Sequence, residues 1–234
     1  MVSPPPGLTA MREDGSVGSA LPHNRLITQV ARDVLRPAGL TQRGRSRVWL
    51  DDHGWWVGVV EFQPSAWSRG TYLNVGAMWL WRETDDHHVY FDLGHRVDDA
   101  GFVEYESDDQ FTAAFAPMAR RALDEVAHLR GRVPSVDAAA ELLRGDAAAQ
   151  GGWAMWDAAV ALGLAGRRVE AAQMFRKVAA DDDDLDWWLA VKQRARELSV
   201  LVTDDPERFA GEAERWISRY REALKLAPLP SSLR

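Results

Sequence analysis

Cysteine is absent, so this chain can build no disulfide, no thiolate zinc site and no thiol nucleophile. That fits a reducing compartment. No apolar run approaches the roughly 20 residues that a membrane-spanning helix needs. Residues 1–22 are rich in Pro, Gly and Ser and lack the apolar stretch of a secretory signal. They are expected to form a disordered tail, and cytoplasmic residence is the expectation. A basic excess is missing too. The net charge is -7 and neither half of the chain is basic, which argues against a surface that tracks phosphates. Neither a nucleic-acid nor a membrane partner is expected. No glycine-rich phosphate loop and no dinucleotide fingerprint occurs, so no cofactor is expected.

What is present is an ordinary globular composition, 46% hydrophobic and 27% charged over 234 residues, enough for one large domain or two small ones. Tryptophan is the unusual feature, with 11 residues, six from Trp49 to Trp81 and five from Trp153 to Trp216. Each indole brings a large apolar area and one N–H that needs an acceptor when buried. Core packing accounts for most of them. An aromatic binding surface is the sharper reading, because Trp is enriched where interfaces concentrate their binding energy.

The periodicities predict an α+β part over residues 23–132 and a helical part over 133–234. Leu26, Ile27, Val30 and Val34 recur at helical spacing before Pro37. Residues 48–93 read as an antiparallel meander of about four strands with flanking helices, and 102–105 offers a further short strand. Leu73, Val75, Ala77, Trp79 and Trp81 share one face of the strand at 72–81. Val89, Phe91 and Leu93 share one face of the strand at 87–93. Setting Ala77 opposite Phe91 aligns the two apolar faces. Val57, Val59 and Glu61 are assigned to the same core face. The second face then carries Gly58, Val60, Phe62, Tyr72, Asn74, Gly76, Met78, His88, Tyr90 and Asp92.

A helix is expected over 107–130, with Asp108 or Asp109 as its cap, Pro117 inside it and Gly131 as its terminator. Ser135 opens the next, which Gly145 stops. Helices over 150–165, 167–180 and 185–202 follow, the acidic run at 181–184 capping the last of these. Asp205 and Pro206 open the final helix.

Two resemblances arise. Trp156, the run Leu162-Gly163-Leu164-Ala165-Gly166, Glu170-Ala171 and Phe175 resemble one tetratricopeptide unit, but no second copy follows at a period of about 34 residues. A helical hairpin is expected instead of a repeat array. Leu35-Arg36-Pro37-Ala38-Gly39-Leu40, the Arg-rich approach to Trp49, Phe62-Gln63-Pro64-Ser65 and Tyr72-Leu73-Asn74-Val75-Gly76 resemble the bacterial domain of unknown function family four-three-zero-four. Leu40 stands where that family usually has an aromatic residue. The resemblance implies an α+β domain and no activity.

Chemistry is sparse. His87 and His88 are adjacent, so on a strand they point to opposite faces. His88 and Asp92 share a face but lie roughly 13 Å apart along an extended strand, too far to hold one metal ion unaided. Ser65 lacks the strand–turn–helix setting of a nucleophile elbow. No catalytic residue and no metal ligand is therefore assigned. The expected function is a non-catalytic intracellular protein that binds another protein. The alternative is a small-ligand binder or enzyme using the second sheet face. Gln63, Ser65, Trp67, Asn74, His88, Tyr90 and Asp92 are the candidate binding residues.

Overall fold

The sheet grows outward from a central strand that is apolar on both faces. The computed structural model describes residues 22–83, 88–183 and 185–229, and the expectations for the tail at 1–21, for His87 and for Asp184 lie outside these. The chain is α+β, an antiparallel sheet followed by helices. Among the described residues there are six strands: β1 (Thr41–Gln42), β2 (Val48–Asp52), β3 (Trp56–Pro64), β4 (Gly70–Trp79), β5 (Leu93–Arg96) and β6 (Phe102–Glu104). They run in the order β1-β2-β3-β4, and β5 and β6 both pair with β4. Asn74 to Ala77 pair with β5, and Gly70 to Tyr72 pair with β6. The two short strands are thus one returning strand, interrupted at 97–101 by a 3-10 turn at Asp98–Ala100.

Of the described residues, 22–78 and 88–130 form one compact unit, and 79–83 with 131–229 form a second. The boundary expected near 133 falls between 130 and 131, and residues 79–83 also belong to the helical unit.

In the first unit, α1 (Pro22–Leu35) buries Leu26, Ile27, Ala31 and Leu35. Pro37 sits in a single 3-10 turn, and Gly39 ends it at φ 94, a conformation open to glycine. α2 (Asp108–Arg132) lies against the face of β3 that carries Phe62, whose ring meets Phe115 edge-on at 4.8 Å. Ser107 caps α2 by accepting from the Gln110 N–H. Asp108 and Asp109 lie inside the first turn, so the cap falls one residue earlier than expected. Pro117 is accommodated inside the helix, and Gly131 does not stop it. At the far end Asp51 on β2 is buried and takes two hydrogen bonds from Arg130, at 2.9 and 2.7 Å, with His53 Nε2 2.6 Å from the same carboxylate. Burial pushes the Asp51 carboxyl up, but His53 and Arg130 overcome it and hold its pKa below the ordinary value.

Two strand expectations are corrected. Asn74 Nδ2 donates to both Glu61 and Gln63, so β3 presents Glu61 on the face of Asn74 and Phe62 on the helix-covered face. The parity assigned to β3 was inverted; a strand apolar on both faces carries no pattern to set it. The returning strand begins at Leu93, not 87, and Ala77 pairs with Leu93 instead of Phe91. That slip of two residues preserves the faces.

The helical unit contains α3 (Val136–Gln150), α4 (Gly152–Leu164), α5 (Arg168–Ala179), α6 (Asp186–Asp204) and α7 (Pro206–Leu224). From α3 to α6 each helix packs on the next. Ser135 and Asp205 cap α3 and α7 as expected, and Gly166 ends the α4 turn at φ 77. Gly145 lies within α3 and does not terminate it. Gly163 of α4 faces α7 so closely that an added Cβ would lie 2.5 Å from the Phe209 ring.

Candidate functional site

The second sheet face holds a network of four polar side chains. Asn74, in the middle of β4, donates to Glu61 Oε2 at 2.8 Å and to Gln63 Oε1 at 3.1 Å. Arg96 on β5 pairs with Asn74 in register and donates to the same Gln63 oxygen at 2.5 Å. Its guanidinium also lies 4.0 Å above the Tyr72 ring, a cation–π placement. Asn74 is buried, Glu61, Gln63 and Tyr72 are half-buried, and Arg96 is exposed. Burial raises the Glu61 pKa, opposed by the Asn74 hydrogen bond and by the charges of Arg47 and Arg96.

A raised folded-state pKa means the folded chain holds the Glu61 proton more tightly than the unfolded one. Stability from this group is therefore greatest below its unfolded value near 4.5 and declines as pH rises through the folded value. Glu61→Gln is accordingly expected to raise the urea midpoint at pH 7. At about pH 4 that gain is expected to disappear. An equal gain at both pH values would sink the assignment.

The predicted site residues separate into three places. Gln63 and Asn74 meet, joined by Glu61 and Arg96, which the sequence reading did not bring in. Ser65 serves its own loop, accepting from the Trp67 and Ser68 N–H groups at 3.1 and 3.3 Å. His88, Tyr90 and Asp92 lie before β5, outside any strand. His88 is exposed and meets the buried Tyr90 ring edge-on at 6.5 Å, while the Asp92 N–H donates to Ala77 O. These three do not converge with Gln63 and Asn74 as a common face would have required. Among the described residues no three His, Asp or Glu side chains gather as a metal-holding group.

Trp67 stands apart. It occupies the loop at 65–69 between β3 and β4 and is 96% exposed. The Ser65 hydroxyl fixes the backbone beneath it, so the indole is presented from an ordered turn.

The helical unit holds residues that local pattern did not reveal. Arg82 and Asp157 form a buried pair, with Arg82 Nε donating to Asp157 Oδ1 at 3.1 Å and Nη2 to Oδ2. The Trp81 indole N–H donates to the same carboxylate at 3.2 Å. Burial pushes the Asp157 carboxyl above the ordinary range, against the pull of Arg82 and Trp81. Arg82 also lies 5.0 Å from the Trp153 ring centre, and Trp153 belongs to a cluster with Trp156, Trp187 and Trp188. The concentration of Trp in 153–216 was the one available signal.

Comparison with known proteins returned no match: no family model, no curated protein and no solved structure is significantly similar to the chain. Among the described residues no helix is long and apolar enough to cross a membrane.

Proposed function

We propose that this chain is a bacterial, cytoplasmic, non-catalytic protein that binds another protein, with Trp67 as its anchor and residues 27–81 akin to the domain of unknown function family four-three-zero-four. The observation that carries the reading is the indole of Trp67, 96% exposed on a turn held by Ser65. A solvated Trp forgoes burial of a large apolar area, and binding to a partner recovers it. An ordered turn lowers the entropy lost on docking. The polar network on the sheet supports the same choice over a small-ligand site. Glu61, Gln63, Asn74 and Arg96 direct hydrogen bonds to one another.

The test is cross-linking and affinity capture of the tagged protein from its native cells. A single reproducible partner is expected, with cross-links that map to 65–69. Trp67→Ala is expected to lose that partner while changing folding stability by no more than about 0.5 kcal/mol, as for other exposed sites. Equal recovery by the wild type and Trp67→Ala would refute the anchor.

A further inference from the structure

Trp67 shares its margin of the sheet with a second ordered segment. Gly70 pairs with Glu104 in register, and one step further along the Tyr105 N–H donates to the Arg69 carbonyl at 2.8 Å. The loop at 65–69 is therefore held alongside residues 104–107. The backbone of that segment is fixed in its own right. Gln110 donates to the Glu104 carbonyl at 3.1 Å and accepts from the Glu106 N–H at 3.2 Å.

The charge on this margin is one-sided. Glu104, Glu106, Asp108 and Asp109 are exposed, against Arg69 as the one cation that either segment carries. Asp108 and Asp109 fall in the first turn of α2, where the helix dipole favours a carboxylate. Glu104 and Glu106 lie ahead of the helix, outside that turn. Among the described residues no ion pair reaches either of them, whereas Asp99 and Glu125 of the same unit share Arg121. The neighbouring cations do not offset them. Arg96 is engaged by Gln63 and by the Tyr72 ring. His23, its ring centre 5.4 Å from that of Tyr105, is buried, and burial with the charges of Arg47 and Arg69 pushes its pKa down. It therefore brings no positive charge at pH 7.

With Trp67 as the anchor, a reading on which this one rests, we propose that the protein it binds presents a basic segment. An apolar side chain of that segment meets the indole, and Lys or Arg residues lie beside Glu104 and Glu106. An aromatic anchor at the centre with charges around it is the ordinary anatomy of a protein interface. Unpaired carboxylates at the rim speed the approach of a basic partner and repel phosphate groups. A nucleic acid or an anionic lipid surface is thus disfavoured at the same margin.

The test selects random peptides of about a dozen residues, displayed on phage, against the full chain, and measures the affinity of an enriched peptide in solution. Enriched peptides are expected to carry a net positive charge together with an apolar residue. Their affinity is expected to fall about tenfold in the double variant Glu104→Gln with Glu106→Gln, and by a similar factor between about 0.05 and 0.5 M salt. Trp67→Ala is expected to abolish binding. Asp124→Asn with Asp182→Asn removes the same charge from exposed positions elsewhere and is expected to leave the affinity within about twofold. Peptides that need Trp67 but show no positive excess, or that bind the glutamine variant as tightly as the wild type, would overturn the basic partner and leave the anchor standing. Binding indifferent to Trp67→Ala would overturn the anchor itself. A library that enriches no saturable binder would overturn the basic segment as the recognised element.

Discussion

Replacing Arg82 with alanine is expected to destabilise the helical unit by about 3–5 kcal/mol, the cost of leaving one buried charge without its partner. The Arg82 and Asp157 side chains are 9% and 2% exposed, so water cannot take over the lost bonds cheaply. In the variant only the Trp81 N–H still faces the carboxylate among the hydrogen bonds described above. The urea midpoint of the wild type and of Arg82→Ala checks the magnitude. The pH dependence of the deficit checks the cause. Without Arg82 the Asp157 carboxyl is more stable protonated, so the folded state binds a proton that the unfolded state releases above about pH 4. The deficit should therefore shrink as pH falls towards that value. The double variant Arg82→Met with Asp157→Leu removes both charges together and is expected to recover to within about 1 kcal/mol of the wild type, or above it. A double variant as unstable as the single one would mean that packing, not the orphaned charge, sets the cost.

The second large effect is expected at Gly76 on β4. An added Cβ there would lie 2.3 Å from the Leu93 carbonyl oxygen and 2.7 Å from the Phe91 ring. The first of these is backbone and cannot rotate away. Its register partner, Gly94, has φ 92, and a Cβ there would lie 2.5 Å from the Val75 carbonyl oxygen. β5 thus meets β4 through a pair of glycines, a spacing that no other residue allows. Gly76→Ala is expected to cost roughly 2–3 kcal/mol through overpacking. It should also release β5, read as lost hydrogen-exchange protection at the Asp92 and Val97 amides, which bond to Ala77 and Leu73 carbonyls. Gly145→Ala is the contrast. This glycine lies inside α3 with nothing within 4 Å of an added Cβ, and the change is expected to stabilise by about 0.5–1 kcal/mol. Loss of stability at both positions would argue against the steric account.

What could be read from the sequence followed from how local the cause was. Ser135, Asp205 with Pro206, and Gly166 sit at helix ends because the groups they satisfy or release are within four residues. Gly131 and Gly145 carry the same letters as a terminator, yet both are continued through. Their helices need no left-handed residue there, and a glycine costs a helix only about 1 kcal/mol. The β3 parity was out of reach because Val57 and Val59 on one face are as apolar as Val60 and Phe62 on the other. β5, Leu93-Gly94-His95-Arg96, shows no apolar alternation, and glycine contacts with β4 place it instead. In the candidate site, Gln63 and Asn74 were legible singly as polar residues of strands, but their meeting was not, because the expected parity of β3 set Glu61, and with it Gln63, on the face opposite Asn74. Arg82 and Asp157 are 75 positions apart and invisible to any local pattern.

The interrupted returning strand bears on how a partner can attach. A protein that adds a strand to a sheet needs a continuous row of free backbone groups along an edge. β1 supplies two residues on one side, and on the other the row breaks at 97–101 between β5 and β6. Among the described residues neither margin offers the length of an ordinary strand to pair with. The proposed attachment through Trp67, a side chain on a turn, asks for no free strand edge.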